Sequence, residues 1–192
     1  QISSYNTLST EINELYSENK MDLVIMGTKG ATGLKGVLFG SNTVHVIKNA
    51  KCPVLTIPSD FSFERPHEIL FPTDYEIEYK AKHLNPIVEI AQNHISRVNI
   101  LHVSTGNGLS SVQEKNKQLL ENSIKKVAHL YHDVTNQNID RAIDAFQIKT
   151  KTNLLVMINN KHSFFENLFF KSTINQIGIH LNIPFLVIPS RV

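Results

Sequence analysis

The sequence predicts an α/β fold, an open parallel sheet with helices on both faces, laid out as tandem domains. Two observations predict it. Short apolar runs of strand length alternate with longer segments of helical period, the pattern of strands buried on both sides. The chain also matches itself without a gap when slid by 131 positions: Leu23 falls on Leu154, Met26 on Met157, Phe39 on Phe170, Ser41 on Ser172, Pro53 on Pro184, and Ile57-Pro58-Ser59 on Ile188-Pro189-Ser190. A period this long indicates duplicated domains, since solenoid repeats are far shorter.

Each element follows from local pattern. Thr7 to Asn19 carries Leu8, Ile12, Leu15 and Tyr16 at helical spacing. Asp22 to Met26 reads as a strand that ends at Gly27, and Asn42 to Asn49 as a helix with Val44, Val46 and Ile47 on its apolar face, its first turn capped by Ser41 or Asn42. Val54 to Ile57 is the next strand. Residues 59–67, SDFSFERPH, mix Ser, Pro and charge without period and read as a linker. A strand at Ile69-Leu70-Phe71 then reaches Pro72-Thr73-Asp74, and a helical region follows to about Ile95, which Pro86 is expected to kink or divide by removing an amide donor. Arg97 to Val103 is a strand, Ser111 to Leu130 one long amphipathic helix, Tyr131 to Thr135 a short strand, and Asn138 to Lys149 a helix. Leu154 to Ile158 and Phe185 to Ile188 are the last two strands.

This division makes residues 1–58 the C-terminal half of a first domain, 59–67 a linker and 68–192 a complete second domain. The chain starts at Gln1, in what the repeat reads as the middle of a domain. The expectation is a truncated or processed fragment that lacks on the order of 75 to 80 residues.

The candidate site is the glycine series Gly27, Gly30, Gly33, Gly36 and Gly40, which follows a strand and closes on Ser41. Glycine permits positive φ and close approach of an anion to backbone amides, and a helix start beyond it would aim free N–H groups at the loop. The P-loop spacing fails, because Thr32 and Lys35 stand where its second glycine belongs. The dinucleotide fingerprint fails too, since no two of these glycines are separated by a single residue. Gly27-Thr28-Lys29-Gly30 fits the Gly-x-x-Gly clamp of KH domains, but it follows a strand instead of joining two helices.

The spacing that does fit is Gly, two residues, Gly, nine residues, Gly-Ser, met by Gly27, Gly30, Gly40 and Ser41. With its flanks, MGTKGATGLKGVLFGSNTVHVIKNAKCPVLTIP, it resembles the ATP-binding signature of the universal stress protein family. The resemblance implies a Rossmann-like fold of the HUP group and a nucleotide site at Met26, Gly27, Lys29, Gly30, Gly40, Ser41 and Asn42. It also implies antiparallel pairing of the terminal strands Val54 to Ile57 and Phe185 to Ile188, so that the two copies pair within the chain or the protein forms a homodimer. A strand-end aspartate that helps hold base and ribose in the family has its counterpart in Asp74, within the second copy.

The second copy diverges where chemistry would occur. The same shift turns Gly27 into Ile158, Gly30 into Lys161 and Gly40 into Lys171, and Phe164, Phe165, Phe169 and Phe170 make the stretch bulky. No phosphate cradle of the usual kind is expected there. The first copy thus has a glycine loop without the aspartate strand and the second the aspartate without the loop, so ATP affinity is expected in the intact protein and weak or absent affinity in this fragment.

Composition excludes several other classes. With 41% hydrophobic residues the chain can bury a sizeable core, and no apolar run approaches membrane-spanning length. A net charge of +2 with scattered Lys and Arg gives no nucleic-acid footprint. One cysteine, Cys52, forbids an internal disulfide and suits a reducing cytoplasm; it reads as a small packed hydrophobe. His129, His132 and Asp133 are the one close group of metal-ligand type and lack further ligands nearby, so no metal is expected. No elbow, zincin or Cys-x-x-Cys motif is present, and Asp22 and Asp74 stand at opposite ends of their strands. The reading is a non-enzymatic stress-response adenine-nucleotide binder that acts by nucleotide-biased association. The alternatives are a nucleotide-independent dimerisation module of the same fold and an ATP-consuming enzyme.

Overall fold

The first strand of the computed structural model, β1 (Val24–Gly27), lies at one edge of a seven-stranded sheet. The description covers residues 3–28, 39–104, 106, 108–135, 138–160 and 182–190. The remaining elements are α1 (Leu8–Ser17), α2 (Ser41–Asn49), β2 (Val54–Ile57), β3 (Glu68–Pro72), α3 (Ala81–His94), β4 (Arg97–Ser104), α4 (Ser111–Ile124), β5 (Ala128–Thr135), α5 (Ile139–Thr150), β6 (Leu154–Asn159) and β7 (Phe185–Pro189). The strand order is β1-β2-β7-β6-β3-β4-β5, and every neighbouring pair is parallel except β2 with β7.

Alternation along the strands divides the core into two layers, one on each face of the sheet. One joins Val54, Leu70, Leu101, Leu155, Met157, Phe185 and Val187 to Ile12 of α1, Val46 and Ile47 of α2, and Ile143 and Phe146 of α5. The other joins Ile69, Phe71, Val98, Ile100, Val156, Ile158, Leu186 and Ile188 to Leu84, Ile87 and Ala91 of α3 and Leu120 and Ile124 of α4. Each side chain so buried contributes about 1.5–3 kcal/mol against its exposed state, which is what holds helices to both faces.

The element positions repeat with the sequence offset. Leu8 begins α1 and Ile139 begins α5, 131 residues apart, and Val54 of β2 and Phe185 of β7 have the same separation. Across the antiparallel pair, Val54 faces Val187, Leu55 faces Leu186 and Thr56 faces Phe185. Since 55 plus 131 is 186, Leu55 lies opposite its own counterpart, and the ladder is locally two-fold about that pair. Thr56 Oγ1 reinforces it by donating to the Phe185 carbonyl at 3.1 Å.

Two sequence expectations need correction. The helix expected over Ser111 to Leu130 stops at Ile124, and Ala128–Thr135 is instead an eight-residue strand paired with β4 from Arg97↔Ala128 to Ser104↔Thr135. Leu119, Leu120, Ile124, Val127 and Ala128 keep a helical period, but a full ladder of long-range pairs with β4 outweighs that local character. Pro86 does not divide α3, which runs unbroken from Ala81 to His94. The missing amide costs one bond in the second turn, about 3 kcal/mol, and burial of Leu84 and Ile87, at 1% and 0% exposure, offsets it.

Candidate functional site

The strand-to-helix junction after β1 is built from backbone bonds. Thr28 N–H donates to Ile57 O at 3.0 Å, extending the β1–β2 ladder one step beyond the strand, and Gly40 N–H returns to Thr28 O at 2.7 Å. The two ends of the glycine segment are thereby tied together. Thr43 Oγ1 donates to Gly27 O at 2.9 Å and fixes the first turn of α2 against the strand end. Phe39, 5% exposed, anchors the segment's exit in the core beside Phe185, with ring centroids 6.1 Å apart.

The site residues named from sequence divide three ways. Met26 is half-buried and Gly27 exposed at the end of β1, while Gly40, Ser41 and Asn42 stand together at the start of α2. Lys29 and Gly30 lie outside the described residues. Gly40 itself is the N-cap, with φ −62° and ψ 156° and no side-chain capping bond, so neither Ser41 nor Asn42 caps the helix. Nor does either of the described glycines of this series use positive φ; their value here is the absent side chain, which leaves the backbone approachable.

Of the loop amides, those of Thr28 and Gly40 are committed to internal bonds and are subtracted from the cup the sequence suggests. The N–H groups of Ser41, Asn42 and Thr43 precede the first helical acceptor, Gly40 O, which takes Val44 N–H at 3.0 Å. They form the positive end of a nine-residue helix, and the side chains of Ser41 and Asn42 are exposed there.

Lys161, Phe164, Phe165, Phe169, Phe170 and Lys171, the counterparts of the glycine segment, lie outside the described residues; at the neighbouring end of β3 the described residues are tightly packed. Past β3, Thr73 N–H donates to Leu101 O at 2.8 Å, and the Thr73 and Tyr79 hydroxyls are hydrogen-bonded to each other. His102 Nδ1 meets Thr73 O at 2.9 Å, and Asn116 Nδ2 donates to Tyr75 O at 2.8 Å. Asp74, the aspartate singled out from sequence, accepts Glu76 N–H through Oδ1 at 3.1 Å, and its carbonyl takes Gln113 Nε2 at 2.9 Å. Tyr75 and Tyr79 are 1% and 4% exposed, and burial pushes both phenols well above their ordinary range. What remains between Phe71, Thr73, Asp74, Tyr79, Ile158 and Asn160 is a cavity of about 20 Å³, room for one water against the several hundred Å³ of a ligand pocket.

The other candidates resolve as packing. His129 and His132 lie on opposite faces of β5: Nε2 of the first is 3.2 Å from Glu121 Oε2, and Nε2 of the second is 3.1 Å from Asn99 Oδ1 with its ring against Phe146. They cannot share one ion. Cys52 is fully buried, and burial raises its thiol pKa, which makes it inert. Among the described residues no helix is long and apolar enough to cross a membrane.

Sequence reasoning missed Thr28, Phe39 and Thr43, which position the junction, and Tyr75 and Tyr79, which close its counterpart. Phe39 and Thr43 were within reach, since an apolar residue just before a helix start and a hydroxyl in its first turn commonly bond or pack back onto the preceding strand. Nothing local marks the tyrosines.

Residues 5–58 match the model of the universal stress protein family. One curated universal stress protein of Methanocaldococcus jannaschii is 51% identical over 49 residues, covering 26% of this chain and 29% of that protein, and a second is 43% identical over 47 residues, covering 24% and 29%. The matched stretch thus spans about three tenths of either curated relative. Among solved structures, a universal stress protein from Archaeoglobus fulgidus superposes with a TM-score of 0.64 at 18% identity, over 94% of this chain and 64% of that chain. A Pseudomonas aeruginosa relative described as a putative universal stress protein gives 0.60 at 15% identity, over 93% and 66%. At these identities the structural likeness is one of fold.

Proposed function

The chain belongs, through residues 5–58, to the universal stress protein family, and on that premise we propose that it is a stress-response adenine-nucleotide binder that works without turnover. The observation that carries the reading is the junction of β1 and α2. A helix start with amides at Ser41 to Thr43, an N-cap without a side chain and exposed flanking residues suits a polyphosphate. In the sequence, Lys29 adds a positive charge to the segment that joins β1 to α2. Asp74 and its surroundings are taken up by internal hydrogen bonds, so the tandem reading assigns the nucleotide to the first copy and a packing role to the second. Among the described residues no nucleophile–base pair stands at the junction, which favours binding over hydrolysis in this reading, and a single buried cysteine suits a cytoplasmic setting.

In this reading ATP is held mainly by its phosphates, since the polar groups that the described residues offer at the junction are the backbone amides of Ser41 to Thr43. Calorimetric titration of the full chain should give a dissociation constant near millimolar, about −4 kcal/mol, with tripolyphosphate matching ATP, and Gly30→Lys or Gly40→Lys abolishing the heat. Equal binding by all variants removes the loop from the account, and a micromolar constant for ATP contradicts the phosphate-only mode. A second reading is favoured by the two-fold ladder of β2 on β7: a nucleotide-independent pairing module of the same fold. It prevails if no nucleotide binds while chains still associate.

A further inference from the structure

A cavity of about 600 Å³ opens between the last turns of α5 and the chain ahead of β7, lined by Asp144, Gln147, Ile148, Thr152, Asn182 and Ile183. That is the size of a small-molecule pocket. It stands where β6 begins, at the reverse end of that strand from the small cavity beside Asp74. On the 131-residue offset Gln147 and Thr152 fall on Tyr16 and Met21, whose side chains pack against the core beside α1. An amide and a hydroxyl in place of a phenol ring and a thioether remove apolar bulk and put polar groups where it stood.

Those polar groups are incompletely used. Gln147 is 9% exposed, and its Nε2 is buried without a hydrogen-bond partner. Buried amides are nearly always paired, so this one calls for an acceptor that the chain does not supply. Thr152, 6% exposed, holds the complementary group. Thr150 Oγ1 donates its one proton to Phe146 O at 2.8 Å and lies 2.7 Å from Thr152 Oγ1. Thr152 is therefore the donor of that second bond, and its oxygen keeps acceptor capacity only. Thr152 N–H donates to Gln147 O at 3.0 Å, which keeps the two residues adjacent.

We propose that this cavity binds a small uncharged molecule carrying a primary carboxamide on an apolar body. The ligand carbonyl accepts from Gln147 Nε2, whose terminal amide torsion is soft enough to turn the N–H onto it. The ligand NH2 donates to Thr152 Oγ1, and Ile148 and Ile183 flank the apolar body. A carboxylate of the same shape has no proton to give Thr152, and the Asp144 carboxylate in the lining repels it. Phosphates are disfavoured on the same grounds, so this site stands or falls apart from the nucleotide reading.

The test is a titration of the full chain with benzamide, followed by two-dimensional amide NMR, with benzoate as the charged isostere. Saturable shifts centred on Gln147, Thr152 and Ile183 are expected at millimolar benzamide, with benzoate at least about tenfold weaker. Gln147→Tyr restores the bulk found at position 16 and should abolish the shifts. Thr152→Val keeps the shape but removes the acceptor, and should weaken benzamide at least about tenfold. Absence of saturable shifts at these three residues, equal binding of benzoate, or binding indifferent to both substitutions overturns the proposal.

Discussion

The end of β1 and the end of β6 occupy equivalent positions in the repeat and have been finished in opposite ways. After β1, Gly27 is exposed, the backbone folds back through Thr28 and Gly40, and a helix begins with its first turn toward solvent. At the end of β6, Ile158 is 7% exposed, Asn159 Nδ2 donates to Ile47 O at 3.0 Å, and Tyr79 lines the small cavity beside the strand ends. One side chain per position decides the outcome: glycine leaves backbone approachable, while isoleucine and tyrosine convert the same ground into core. Strands are kept because burial on both faces demands them, whereas the segments that join them at the surface are free to diverge.

Exchanging residues between the two ends sharpens this contrast. Ile158→Gly removes a buried side chain and adds backbone freedom, so it should cost about 3–5 kcal/mol in urea denaturation, whereas Gly27→Ile at an exposed strand end should change stability by less than about 1 kcal/mol. Comparable losses from both would mean that the two ends are equally packed.

A second distinction is acid sensitivity, expected of the closed end alone. His83 is 3% exposed; its Nδ1 accepts Lys80 N–H at 3.3 Å and its Nε2 donates to Ser190 O at 3.1 Å, linking the start of α3 to the end of β7. Burial chiefly holds its pKa below the ordinary value, Lys82 and Lys80 push the same way, and the bond to Ser190 opposes them. The folded state therefore binds this proton less readily than the unfolded chain. Its contribution is fully present above about 6.5 and is lost as pH falls through the lowered folded value. The denaturation midpoint should drop on acidification in the wild type, and the drop should shrink in His83→Gln; an unchanged profile would remove His83 from the account.

The smallest effect concerns the helices. Asn13 joins α1 to α2 by donating Nδ2 to Asn49 O at 3.0 Å and accepting Lys51 N–H at 2.8 Å, and the shift of 131 places Asp144 at that position in the second copy. Asn13→Asp keeps the acceptor and loses the donor, so a cost of about 0.5–1 kcal/mol is expected from the unfolding midpoint. No change would show that the clamp is ornamental in an exposed setting.

Much of the fold was legible because its signals are local or repeated. The alternation of apolar runs located seven strands, and the 131-residue offset aligned β1 with β6 and β2 with β7. The start of β5 was not legible, since Leu119 to Ala128 keeps a helical period past the point where β4 supplies a pairing edge. The site was half legible. Glycine spacing located the junction, but the fate of its amides depends on Ile57, which accepts one of them from a strand remote in sequence, and the closure of the other end depends on Tyr79 folding over Thr73.

The central claim, that polyphosphate is held at the first copy's strand–helix junction and excluded from the second's, is tested most directly by an amide-resolved NMR titration of the full chain with ATP. Shifts should concentrate at Ser41, Asn42 and Thr43 and leave Thr73 to Glu76 unmoved. Shifts centred on Thr73 to Tyr79, or none at the start of α2 at millimolar nucleotide, would contradict it.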